Sequence, residues 1–98
     1  MTLAIALRAA ARADIDAAVD WYEGRQAGLA QRFLEEVDRC LALAAEHPLR
    51  FAIKHHEIRC APVRRFPYLI YFVAEQKRIV VLAVFHVRRD PIVWQERK

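Results

Sequence analysis

Glycine, cysteine and long apolar runs are all scarce in this sequence, and each scarcity removes a class of protein. Its two glycines, Gly24 and Gly28, leave no room for a flexible linker, and no repeat or low-complexity segment is present. Two cysteines, Cys40 and Cys60, are too few for a secreted disulfide scaffold and lack C-x-x-C spacing. Cys40 falls on the apolar face of an expected helix and reads as a small core residue. A Cys40–Cys60 bridge is the lesser alternative, since the expected home is a reducing cytoplasm. The first apolar run, Leu3 to Leu7, stops at Arg8 and is too short for the core of a signal peptide. The run from Ile79 to His86 falls far short of a membrane span, so no membrane partner is expected.

What is present is an ordinary folding composition. Ninety-eight residues, 56% of them hydrophobic, make one domain over residues 1–98, near the small end for a core without staples. The net charge is +4, and its distribution says more than its total. Residues 1–57 carry six Arg and one Lys against nine acids, or −2; residues 59–98 carry seven Arg and two Lys against three acids, or +6. A basic C-terminal half fits an anionic partner, whether nucleic acid, an acidic protein segment or a charged enzyme surface.

Residues 1–7 alternate weakly and read as a short strand. In residues 9–23, Ile15, Ala18, Val19 and Tyr22 form a helical stripe, with Asp14, Asp16 and Asp20 mostly off it. Residues 29–47 repeat the pattern with Phe33, Val37, Cys40, Leu41 and Ala44, and Pro48 ends it. Two amphipathic helices around the Arg25-Gln26-Ala27 break make a helical hairpin. The remainder reads as β: residues 57–63 as a short strand broken at Pro62, then 66–73 and 78–87 joined by the polar turn Glu75-Gln76-Lys77. Asp90 is expected to cap a short C-terminal helical turn, with Pro91 in its first position and Trp94 folded back on the sheet. The expected fold class is α+β, in the order β-α-α-β-β-β, with the helical hairpin on one face of a small, mainly antiparallel sheet.

The last hairpin is apolar on both faces. Strict alternation places Phe66, Tyr68, Ile70 and Phe72 against Leu69, Tyr71 and Val73, and Ile79, Val81, Ala83 and Phe85 against Val80, Leu82 and Val84. One helix pair covers one face only. The second needs the Trp94 tail, a second copy or a partner, and at about 1.5–3 kcal/mol per buried side chain the cover matters. This reading favours an obligate or near-obligate partner.

Trp21-Tyr22-Glu23, Gly28-Leu29 and Phe33-Leu34 in the helices, Arg65-Phe66-Pro67-Tyr68 at the sheet, and the segment from His86 through Asp90-Pro91 to Trp94 together resemble the RelE/ParE toxin superfamily. The likeness spans nearly the whole chain and is nearest to ParE, the toxin of plasmid and chromosomal stabilisation modules. It implies a toxin neutralised by an antitoxin encoded beside it, whose C-terminal segment wraps the toxin. It further implies DNA gyrase as the target, poisoned without chemistry, and no cofactor. A homodimer and a toxin–antitoxin heterotetramer are both open.

The resemblance and the residue pattern together assign Arg64, Arg65, His86, Arg88, Arg89, Trp94 and Arg97 to target binding. Trp21, Tyr22, Phe33, Tyr68 and Tyr71 are assigned to the antitoxin. Arg65 and Arg88 are expected near one another across the hairpin, where like charges cost stability unless an anion lies between them. The sister branch, RelE, cleaves mRNA on the ribosome. That chemistry needs a base, an acid and cations around the phosphorane, and His86, Arg65, Arg88 and Lys54 are the candidates. The tail lacks the C-terminal tyrosine of many nuclease members, so the endoribonuclease stands as the alternative. A non-toxic relative that only binds antitoxin is a third reading. His55 and His56 have no third ligand at helical or hairpin spacing, so no metal site is expected.

Overall fold

The computed structural model describes residues 2–89 and 91–97. Strand β1 (Ala4–Leu7) leads into helices α1 (Ala9–Glu23) and α2 (Leu29–Glu46). A single 3-10 turn (Pro48–Arg50) precedes strands β2 (Ile53–His55), β3 (Ile58–Pro62), β4 (Tyr68–Ala74) and β5 (Arg78–His86), and α3 (Pro91–Gln95) follows. The fold is α+β with the expected order, plus one strand. β2 is three residues long and irregularly paired, so Ile53-Lys54-His55 carries too little alternation to be read as a strand. Asp90, the expected cap, lies outside the described residues.

The sheet order is β1-β5-β4-β3-β2, antiparallel except for the parallel β1–β5 edge pair. The helical hairpin reverses at Gly28, whose φ of +83° is left-handed and costs any other residue strain. Ala11, Ile15, Ala18 and Tyr22 of α1 and Phe33, Val37, Cys40, Leu41 and Ala44 of α2 bury the predicted stripes against one sheet face. An aromatic knot closes that core: Tyr22 lies 5.2 Å from Phe33 and 5.1 Å from Phe66, and Phe33 lies 5.1 Å from Tyr68.

Strict alternation fails in the middle of β5. Tyr71 pairs with Ala83 and Phe72 with Val81, so Leu82 is one residue too many, a β-bulge. The bulge flips the parity of everything after it. Ile79, Val81 and Val84 face the helices, whereas Val80, Leu82, Ala83 and Phe85 face outward. The expected placement of Ala83, Val84 and Phe85 is therefore reversed, because a bulge leaves no mark in the residue pattern.

The outer face is nevertheless closed by the chain itself. Trp94 stacks on Tyr71 with ring centres 4.0 Å apart and planes at 15°. The guanidinium groups of Arg89 and Arg97 lie 4.0 Å and 4.6 Å from the centre of the Phe85 ring. Ile58, Val80, Leu82 and Phe85 are all buried beneath this cover. The expectation that a partner is required to shelter the second face is thus overturned. One tryptophan and two arginine side chains do the covering, and the free cysteines Cys40 and Cys60 are buried on opposite faces.

The free edge of β5 is also closed. β1 pairs only as far as Val81, so the strand's last residues lose their neighbour. Asp14 of α1 accepts the Val84 N–H at 3.0 Å, and Arg97 donates to the Leu82 carbonyl at 3.2 Å. The two side chains pair with each other at 2.6 Å and 3.3 Å, a bidentate contact between largely buried groups.

Trp94→Ala should destabilise the chain by about 3 kcal/mol, because it removes a buried indole from a packed face. Trp21→Ala, at a 55% exposed position, should change stability by less than about 0.5 kcal/mol. Urea unfolding followed by circular dichroism measures both.

Candidate functional site

The basic residues gather at one end of the sheet. The β3–β4 turn carries Arg64 and Arg65, and the β5 exit carries Arg88 and Arg89, all exposed. Backbone bonds from Val63 to Tyr68 and from Val87 to Pro67 hold the two segments together. Arg65 sits at φ +70°, a left-handed conformation unusual for a side chain of this size.

Three of these four arginines line different surfaces. Arg65 joins Arg32, Arg39, Glu36, Leu29 and Phe66 around a groove of about 460 Å³ beside α2. Arg64 lines the next cleft along α2, about 290 Å³, with Leu43, Phe51 and Pro62 as its apolar floor. Between the two, buried Glu36 holds exposed Arg39 at 2.8 Å. Arg89 belongs to a third groove, about 230 Å³, between α1 and the end of β5, shared with Asp14, Trp21, Tyr68 and His86.

His86 is half-buried, set edge-on to Tyr68 at 5.5 Å, and its Nδ1 accepts the Arg88 backbone N–H at 3.1 Å. That arrangement shapes the strand exit. Lys54 lies elsewhere: β2 is three strands from β5, and its register level matches Val81, five residues before His86. Strand spacing and rise put the two roughly 20 Å apart. Of the nuclease candidates, Arg65, His86 and Arg88 share one end of the sheet, whereas Lys54 does not join them.

Trp94 and Arg97 belong to the cover of the outer face, and Trp94 keeps 3% of its surface exposed. Of the residues assigned to the antitoxin, Trp21 and Tyr68 present surface, and Arg25 lies 3.8 Å over the Trp21 ring. Tyr22, Phe33 and Tyr71 are packed inside, Phe33 completely, and act as framework. Arg32 and Arg39 escaped the sequence reading, although their seven-residue spacing on α2 puts them on one face. Asp14 gave no signal at all, being one of three aspartates on a polar helix face.

Burial also sets the chemistry of the polar core. The Cys40 thiol, which donates to the Pro62 carbonyl at 3.5 Å, is pushed up to about 12 by burial and then by Cys60. Burial raises Cys60 as well, against the opposing pull of Lys54 and the Tyr71 hydroxyl. Tyr71 is lifted to about 12 by burial, then by the neighbouring Cys60. The buried indole N–H of Trp94 makes no well-formed hydrogen bond, yet it lies close enough to the Tyr71 oxygen to favour ionisation slightly.

A family description, the ParE toxin of the type II toxin-antitoxin system parDE, matches residues 5–91. The chain belongs to the ParE toxin family. A chain from the solved structure described as the chromosomal ParDE TA system from P. aeruginosa has the same fold. Its TM-score is 0.74 at 19% sequence identity, and the likeness covers 87% of this chain and 96% of that one. No curated relative matches the sequence. In this ParE-family chain no helix among the described residues is long and apolar enough to cross a membrane.

Unfolded, a cysteine ionises near 9.0; folded, Cys40 holds its proton to about 12. Between those values the unfolded chain binds fewer protons, so stability is full below pH 9 and falls as pH rises. The melting temperature should drop from pH 9 to pH 11, and Cys40→Ala should flatten that slope despite lowering overall stability. Scanning calorimetry across the range tests this.

Proposed function

We propose that this ParE-family chain is the toxin of a type II toxin–antitoxin module, that it poisons DNA gyrase by binding, and that a cognate antitoxin encoded beside it neutralises it in the cytoplasm. The family match over residues 5–91 carries the reading. The geometry supports it in two ways. An exposed arginine rim at one end of the sheet gives a binding surface for an anionic target without any chemistry. Lys54 stands apart from Arg65, His86 and Arg88, so the proposed phosphoryl-transfer set does not assemble around one phosphate.

The antitoxin surface in this reading is the helical hairpin and the grooves beside α2. Their apolar floors and the guanidinium groups of Arg32, Arg39, Arg64 and Arg65 suit an acidic amphipathic segment. The outer face needs no such partner for its own burial, so antitoxin binding is a matter of regulation and not of solubility.

A supercoiling assay with purified gyrase, run beside a ribosome-bound mRNA cleavage assay, tests the target. Supercoiling should stop at stoichiometric toxin while the mRNA stays intact. Intact supercoiling with cleaved mRNA would replace this reading with the nuclease. No effect in either assay would leave only the non-toxic relative. Arg65→Ala with Arg89→Ala should weaken gyrase inhibition at least tenfold, with melting temperature shifted by no more than a few degrees.

A further inference from the structure

The C-terminal segment is held very differently from the rest of the chain. α3 is five residues long, too short to persist without tertiary contacts. Two contacts dominate its attachment, the Trp94 stack on Tyr71, flanked edge-on by His55 at 6.2 Å, and the Arg97 fork on Asp14, which also reaches the Leu82 carbonyl and the Phe85 ring. Arg8 adds one exposed bond to the Arg97 carbonyl. The first point is imperfect, because the buried indole N–H is not properly satisfied. The second is a single bidentate fork on a carboxylate that α1 also uses to hold the Val84 N–H.

Asp14 also lines the groove between α1 and the end of β5, where Trp21, His86 and Arg89 open to solvent. The carboxylate that latches the tail therefore borders a groove lined by none of residues 91–97, with 8% of its side chain exposed. Nothing else ties α1 to the segment beyond β5 by side-chain ion pairing among the described residues.

From this arrangement we infer that residues 91–97 form a detachable strap, latched by Arg97 on Asp14, that masks the apolar outer face of the sheet and opens as a unit while the helical core stays folded. Opening frees the Leu82 carbonyl, leaves the Val84 N–H on the Asp14 carboxylate of α1, and bares Tyr71, Val80, Leu82 and Phe85. The carboxylate stays on α1 and keeps the Val84 N–H, so the change is confined to the tail and the face beneath it. A group that enters the α1 groove and competes for Asp14 shifts the same equilibrium, by linkage. The inference rests on contacts within this chain and stands whatever the target proves to be.

Native-state hydrogen exchange on the full chain tests it. The Arg97 amide and the Trp94 indole N–H should exchange at least tenfold faster than the Ile70 and Phe72 amides in β4, with little dependence on low urea. Asp14→Asn should speed the first group by about another tenfold and leave Ile70 and Phe72 unchanged. If that variant does not fold, Arg97→Lys, which keeps the charge but loses the fork, serves in its place. In a Trp21→Phe background Trp94 is the sole tryptophan. Its quenching by acrylamide and the brightness of the apolar dye ANS should then rise together in the latch variant. Exchange of Arg97 and Trp94 at the same rate and urea slope as Phe72 would show that tail and core open as one, and would overturn the strap. So would a latch variant in which Trp94 quenching and ANS brightness are unchanged.

Discussion

Every other part of this fold answers to the double-sided burial of β5. The strand sits between β1 and β4 and carries Ile79 through Phe85 with hardly a polar atom. Both its faces have to be sheltered, and the chain supplies unequal covers. On one side two amphipathic helices deliver a full layer of Ile15, Tyr22, Phe33 and Val37. On the other, one short helical turn delivers a tryptophan, helped by the flat faces of two arginines.

The bulge at Leu82 makes the second cover workable. It turns Phe85 outward, under Arg89 and Arg97, and turns Val84 inward beneath the hairpin. It also sits where β1 has ended, so the backbone there would otherwise be unpaired. The Asp14–Arg97 pair occupies the missing strand's position. Such a pair costs desolvation on both sides and is repaid only when further hydrogen bonds use the remaining lone pairs and protons. Here the Val84 N–H and the Leu82 carbonyl supply them.

This economy shapes the functional surface. With the strand exit fixed by His86 and Tyr68, Arg88 and Arg89 are held at the same end of the sheet as Arg64 and Arg65. Two carboxylates near the rim are engaged by other arginines, Glu36 by Arg39 and Asp14 by Arg97. A cationic end with grooves on either side is an interaction surface set on a rigid sheet, as befits a ParE-family chain.

Periodicity alone determined the two long helices, four of the five strands and the arginine-bearing turns, since 3.6- and 2-residue repeats and turn residues are local properties. Tyr22 and Phe33 were legible as stripe residues, and they proved to be core. Only the tertiary structure decided that β1 closes beside β5, that Leu82 breaks the alternation, and that Trp94 and Arg97 cover the outer face. These join residues far apart in sequence: Asp14 and Arg97 are 83 positions apart. No window of neighbouring residues records which lone aspartate meets which terminal arginine, because the partner is chosen by where the sheet leaves a backbone group unpaired.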